Sequence, residues 1–144
     1  GMQRLLVTGA AGFIGSHFVR HTLARHPDCR VIAYDALTYA GNRANLADLE
    51  DDPRFSFVHG RIEDPDAVDA AAAQADAIVN FAAESHNDRA ILDPLTAART
   101  NFDGVCVLLE AARRHRHVRF HQVSTDEVYG TTSTVFREGD PLEP

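Results

Sequence analysis

Three glycines, Gly9, Gly12 and Gly15, recur at every third position between a short apolar run and a helical pattern. The run before them, Leu5-Leu6-Val7, reads as a buried strand, and Phe13 to Arg25 reads as a helix that Pro27 ends. Glycines at such a turn permit a tight bend, a close approach of backbone to a pyrophosphate, and close packing of helix on strand. The helix start adds free N–H donors and the positive end of a dipole. A glycine triplet alone is weak evidence. Here a second strand, Val31-Ile32-Ala33-Tyr34, stops at Asp35, 20 residues beyond Gly15. A carboxylate at that distance hydrogen-bonds an adenosine ribose in dinucleotide sites. The alternative is a plain strand-to-helix turn with an exposed Asp; strand, spacing and acid together favour the dinucleotide. Asp35 also favours NAD over NADP, because a 2′-phosphate would face a carboxylate. Arg43 is the cation in the following loop that could reverse this preference.

The rest of the chain continues the alternation. Phe55 to His59 predicts a third strand, and Pro65 opens a helix running to about Gln74. Ala77 to Phe81 predicts a fourth strand, and Pro94 starts a long helix to about Arg114. That helix carries Leu95, Ala98, Phe102, Val105 and Leu109 on one face, with Val107 and Leu108 off it. Phe120 to Val123 predicts a fifth strand ending at Ser124, and the tail from Gly130 reads as loop. Strands alternating with helices specify an α/β fold: a Rossmann-like, doubly wound parallel sheet in three layers. Residues 1–144 read as one domain.

Composition excludes other classes. The net charge of −7 gives no general attraction to nucleic acid or to an anionic membrane. No apolar run reaches the length of a membrane span. No signal-peptide pattern precedes the first strand, and Gly1 before Met2 resembles a tag remnant. The isolated cysteines, Cys29 and Cys106, argue against a metal site or redox pair, so no metal is expected and the cytoplasm is the expected compartment. Cys106 reads as a small core residue. His115 and His117 flank Arg116 and read as a solvated helix end rather than metal ligands. All 14 basic residues are arginine.

Open α/β sheets bind ligands outside the carboxyl ends of their strands. Two polar clusters fall there: Ala82-Ala83-Glu84-Ser85-His86-Asn87-Asp88-Arg89 after the fourth strand, and Ser124-Thr125-Asp126-Glu127-Val128-Tyr129-Gly130 after the fifth. Asp126 and Glu127 are consecutive carboxyl groups. Held in one cleft they cannot both ionise freely, which suits one to act as acid and the other as base. The alternative is an exposed acidic turn. His86 either orients a substrate or hydrogen-bonds locally, and Tyr129 reads as a packing residue.

These residues resemble a known family. Thr8-Gly9-Ala10-Ala11-Gly12-Phe13-Ile14-Gly15-Ser16-His17 is similar to the start of extended short-chain dehydrogenase/reductases. Within them, Leu37-Thr38-Tyr39-Ala40-Gly41-Asn42, Ala82-Ala83-Glu84-Ser85-His86 and Ser124-Thr125-Asp126-Glu127-Val128-Tyr129-Gly130 resemble the dTDP-glucose 4,6-dehydratases. The Thr-Asp-Glu triplet discriminates, since simple epimerases need no such acid/base pair. The resemblance implies NAD as cofactor, a nucleotide sugar such as dTDP-glucose as substrate, and a homodimer. It places Phe13 and Ile14 against the pyrophosphate, with Gly9, Gly12 and Gly15 forming the turn. It places Asp35, Ala36, Leu37 and Thr38 along the adenosine, Ile62 at the adenine, and Ala83 and Thr100 along the cofactor. It implies that Ser85 and Thr125 contact the sugar nucleotide, that Asp126 is the acid and that Glu127 is the base. A related NAD-dependent epimerase or decarboxylase, or an inactive nucleotide-binding module, stays open beside it.

The chain also departs from the family pattern. Arg61 stands where the family usually has Asp, and Asn87 and Ala90 stand where it usually has Val and Ser. The superfamily's Tyr-x-x-x-Lys is missing: Tyr34, Tyr39 and Tyr129 are followed four positions on by Thr38, Arg43 and Ser133. The expectation is a fragment that stops before the catalytic Tyr and the substrate domain, and that is inactive by itself.

Overall fold

A computed structural model describes residues 3–37, 42–81, 94–116, 118–126 and 130–136, with residues 94, 96–98, 100, 101, 124–126 and 130–136 described by backbone alone. Six strands form one sheet: β1 (Gln3–Thr8), β2 (Cys29–Asp35), β3 (Phe55–His59), β4 (Ala77–Phe81), β5 (Arg119–Asp126) and β6 (Gly130–Phe136). The spatial order is β3-β2-β1-β4-β5-β6. The chain winds outward from β1 through β2 to β3, then returns to add β4 and β5 on the other side. The order therefore reverses between β1 and β4, the position where open α/β sheets bind ligands.

Both faces of the sheet are covered, so its central strands carry apolar residues on both sides. Leu5, Leu6, Val7 and Thr8 are all buried, as is every residue of β4. On one face, helix α1 (Phe13–Arg25) packs Val19 and Leu23 against Leu5, Val7, Val31 and Val79. On the other, α2 (Pro65–Ala72) and α3 (Pro94–Arg114) cover Leu6, Tyr34, Ile78 and Phe120 with Val68, Ala72, Leu108 and Ala111. This is the expected doubly wound, three-layer arrangement.

Local chemistry sets the helix ends. Asp64 caps α2, accepting from the Asp66 and Ala67 N–H groups at 3.2 and 3.3 Å, with Pro65 in the first turn. The C-terminal end of α1 is closed from outside: Arg54 donates to the carbonyls of Leu23 and His26 at 2.9 and 3.2 Å. Asp52 holds that guanidinium at 3.0 Å.

Five sequence expectations change. The segment from Gly130 is a strand, not a loop, paired antiparallel to β5 from Phe120↔Phe136 to Asp126↔Gly130. Its threonines, Val135 and Phe136 suit a pleated edge, and a parallel sheet tolerates an antiparallel strand there. Residues Arg43–Leu49 form a 3-10 helix capped by Asn42, whose side chain accepts from Ala44 N–H at 2.9 Å. On α3 the residues facing the sheet are Gly104, Leu108, Ala111 and Ala112, whereas Leu95 and Phe102 are 82% and 68% exposed. Small residues let the helix approach closely; the largest apolar side chains point outward. Cys106 lies on this outer side and is exposed, not in the core. His115 is not simply solvated, since it meets Asp69 of α2 at 2.9 Å and Arg114 joins the same carboxylate at 3.2 Å.

Candidate functional site

The glycine turn sits at the carboxyl end of β1, beside the point where the strand order reverses. Gly9 adopts φ +70°, a left-handed conformation that disfavours other residues. A Cβ there would come within 2.6 Å of the Phe81 carbonyl at the end of β4. A Cβ at Gly15 would collide with the Gly9 carbonyl, so the third glycine lets α1 start directly above the turn. The N-terminus of α1 carries no side-chain cap and no acidic residue in its first turn. A helix start without a side-chain cap suits an anion, whereas α2 uses its own Asp64 in that role. Phe13 and Ile14 occupy the first two helical positions, and Phe13 is 65% exposed with its ring edge-on to His17.

Asp35 is tied into this turn. One carboxylate oxygen accepts from Ala11 N–H at 2.9 Å, and the other accepts from Leu37 N–H at 2.8 Å. Leu37 has φ 56°, unusual for a residue with a side chain, and the bond to Asp35 holds it there. Each carboxylate oxygen has a second lone pair, so a ribose hydroxyl can still be accepted. The turn is fixed from its other side by the 3-10 helix. Asn42 N–H and the Asn45 side chain both donate to the Ala11 carbonyl, at 3.1 and 2.8 Å. The sequence signal for this clamp was present: an Asn cap followed by Leu46 and Leu49, both buried and three apart.

Arg43 is committed elsewhere. Its guanidinium lies 4.5 Å from the Phe57 ring centre and pairs with Glu50 at 3.0 Å. Phe57 pairs across the sheet with Ala33. The cation thus sits over a ring two residues, or about 6–7 Å, down the strand from Asp35. Ile62 lies half-buried in the loop between β3 and α2, packed with the α2/α3 side of the core.

The second cluster is placed by backbone. The last β4–β5 pair is Phe81↔Val123. Beyond it, among the described residues, Ser124, Thr125 and Asp126 pair with β6. Thr125 and Asp126 therefore stand at the carboxyl edge of the sheet, two strands from the glycine turn. Thr100 lies within α3. Thr38, Ala83, Ser85 and Glu127, with His86, Asn87, Ala90 and Tyr129, lie outside the described residues. Among the described residues no three His, Cys, Asp or Glu side chains gather to hold a metal, and no helix is long and apolar enough to cross a membrane.

The model of one family, GDP-mannose 4,6 dehydratase, matches residues 6–144. The chain belongs to this family. Its curated relatives include a dTDP-glucose 4,6-dehydratase from Mycobacterium tuberculosis, 50% identical over 99% of this chain and 43% of that protein. Among solved structures, a dTDP-glucose 4,6-dehydratase from Streptomyces venezuelae with NAD bound is 53% identical. It superposes with a TM-score of 0.71 over 78% of this chain and 36% of its own. Another from Bacillus anthracis, in complex with NAD, is 39% identical with a TM-score of 0.76, covering 99% of this chain and 44% of that one. The chain thus spans less than half the length of the dehydratases it matches.

Proposed function

We propose that this chain is the cofactor-binding part of an NAD-dependent sugar-nucleotide dehydratase acting on dTDP-glucose. The observation that carries the reading is the union of two features in one fold. A glycine turn locked to Asp35 forms a dinucleotide cradle, and the Thr125-Asp126 segment stands at the carboxyl end of β5, on the same edge of the sheet. The similarity to dTDP-glucose 4,6-dehydratases over nearly the whole chain supports the substrate class.

The residues present fit the cofactor. The open N-terminus of α1 would hold the pyrophosphate, with Phe13 and Ile14 against it. Asp35 would accept from the adenosine ribose, with Ala36, Leu37 and Thr38 along it and Ile62 at the adenine. Ala83 and Thr100 would lie along the nicotinamide half. When bound, NAD supplies the redox chemistry, taking hydride from C4 of the glucosyl group and returning it at C6. Glu127 would remove the C5 proton, which the 4-ketone acidifies. Asp126 would protonate the C6 hydroxyl, which leaves as water. Ser85 and Thr125 would hold the sugar nucleotide in reach of both.

The proposed enzyme is cytoplasmic, where free Cys29 and exposed Cys106 stay reduced. It pairs with a second copy through the outer side of α3, where Leu95 and Phe102 stand exposed. Residues 1–144 alone are proposed to be inactive, because no Tyr-x-x-x-Lys is present. Product analysis of the complete enzyme on dTDP-glucose tests the function. The 4-keto-6-deoxy sugar is expected; an epimer or a decarboxylated sugar would overturn the reading.

A further inference from the structure

Tyr34 is the largest fully buried side chain of the molecule's described residues. It stands next to last in β2, on the face covered by α2 and α3. Its hydroxyl donates to the Arg61 carbonyl at 2.7 Å. Asp64 N–H donates to the same carbonyl at 3.1 Å, so this oxygen joins β2 to the start of α2. The Tyr34 ring also lies against Gly60, where a Cβ would come within 2.6 Å of the hydroxyl oxygen. Gly60 N–H donates in turn to the Asp35 carbonyl at 3.1 Å. Consecutive residues of β2, Tyr34 and Asp35, therefore hold consecutive residues of the next loop, Arg61 and Gly60.

The residue this delivers is Ile62. It rests against α3 where Gly104 leaves space: a Cβ at Gly104 would run into the Cγ1 and Cδ1 atoms of Ile62. The loop is thus gripped on one side by a hydroxyl and fitted on the other by a missing methyl.

We propose that Tyr34 and Gly104 are positioning residues for the adenosine half of the dinucleotide, acting through the placement of Ile62. The proposal rests on the reading that Ile62 lines the adenine. Burial, with Asp64 and Glu63 nearby, pushes the Tyr34 hydroxyl up to about 12, so it stays a hydrogen-bond donor at any physiological pH.

The test uses the complete enzyme and four proteins: wild type, Tyr34→Phe, Gly104→Ala and Ile62→Ala. Calorimetry measures NAD⁺, ADP-ribose and dTDP, alongside thermal unfolding. Tyr34→Phe keeps the ring and removes one hydrogen bond, so NAD⁺ and ADP-ribose should each bind roughly 3- to 10-fold more weakly. Gly104→Ala should weaken both on the order of tenfold, since Ile62 must shift. Affinity for dTDP should not change in either variant. Tyr34→Phe and Gly104→Ala proteins that lose thermal stability but bind NAD⁺ like wild type would overturn the proposal while leaving Ile62→Ala weak. Equal losses for dTDP and NAD⁺ would overturn it as a general distortion. If Ile62→Ala itself binds NAD⁺ and ADP-ribose normally, the adenine reading fails and the proposal fails with it.

Discussion

The carboxylate of Asp35 accepts a hydrogen bond from Ala11 N–H at 2.9 Å, so the acid at the end of β2 fastens the glycine turn that follows β1. Its other oxygen fixes Leu37. Asp35 therefore shapes the backbone on both sides of the site. Asp35→Ala should lower the unfolding free energy by about 2–3 kcal/mol, the scale for losing hydrogen bonds to a charged acceptor, and weaken NAD⁺ binding at least tenfold. Denaturant titration and calorimetry on the same protein check both. Unchanged stability would mean the carboxylate does not hold the turn.

NAD⁺ should bind more tightly than NADP⁺. Asp35 opposes a 2′-phosphate, and Arg43, which could receive one, is held over Phe57 and paired with Glu50. Releasing it with Glu50→Gln and Phe57→Leu together should tighten NADP⁺ roughly 3- to 10-fold and leave NAD⁺ nearly unchanged. Equal affinity for the two cofactors in the wild type would refute the preference.

Alkaline pH should unfold the protein partly through Tyr34. Its hydroxyl is pushed to about 12 chiefly by burial, against about 10 in an unfolded chain. A raised folded value means the stabilisation is complete below pH ~10 and is lost as pH rises toward ~12, because the unfolded chain gives up the proton first. The contribution is on the order of 2–3 kcal/mol. Tyr34→Phe should flatten the stability profile across that window. A profile as steep as wild type would place the effect elsewhere.

Helix α3 exposes Leu95 and Phe102 on the side away from the sheet. Phe102→Asp in the complete protein should convert dimer to monomer in sedimentation at micromolar concentration, without loss of fold by circular dichroism. A wild type that is monomeric under those conditions would contradict the proposed pairing.

Much of this fold is legible in the sequence. The bounds of β3, β4, α1 and α3 follow from apolar runs, prolines and a 3.6-residue period. What escaped had weak or misleading signals. β6 is rich in threonine, and polar residues on an edge strand look like loop. The sheet-facing side of α3 is built from Gly104, Ala111 and Ala112 around Leu108, so a search for the largest apolar residues finds only part of it: Val105 and Leu109 pack against the core, while Leu95 and Phe102 stand exposed. At the site, the glycines and Asp35 stood out by spacing. Other supports did not: Tyr34 and Gly104 make contacts between segments far apart in sequence, which no local pattern encodes.

Glu127 and Asp126 are proposed to divide the elimination as base and acid. The most direct measurement follows deuterium at C5 of dTDP-glucose in D₂O, with the absorbance of reduced nicotinamide recorded alongside, in the complete enzyme. Glu127→Gln should still reduce the nicotinamide yet lose C5 exchange by about 10²–10⁴-fold. Asp126→Asn should keep C5 exchange while slowing loss of the C6 hydroxyl by a similar factor, although neutralising one carboxyl also shifts the other. If Glu127→Gln exchanged the C5 hydrogen at the wild-type rate, Glu127 would not be the base and the assignment would fall.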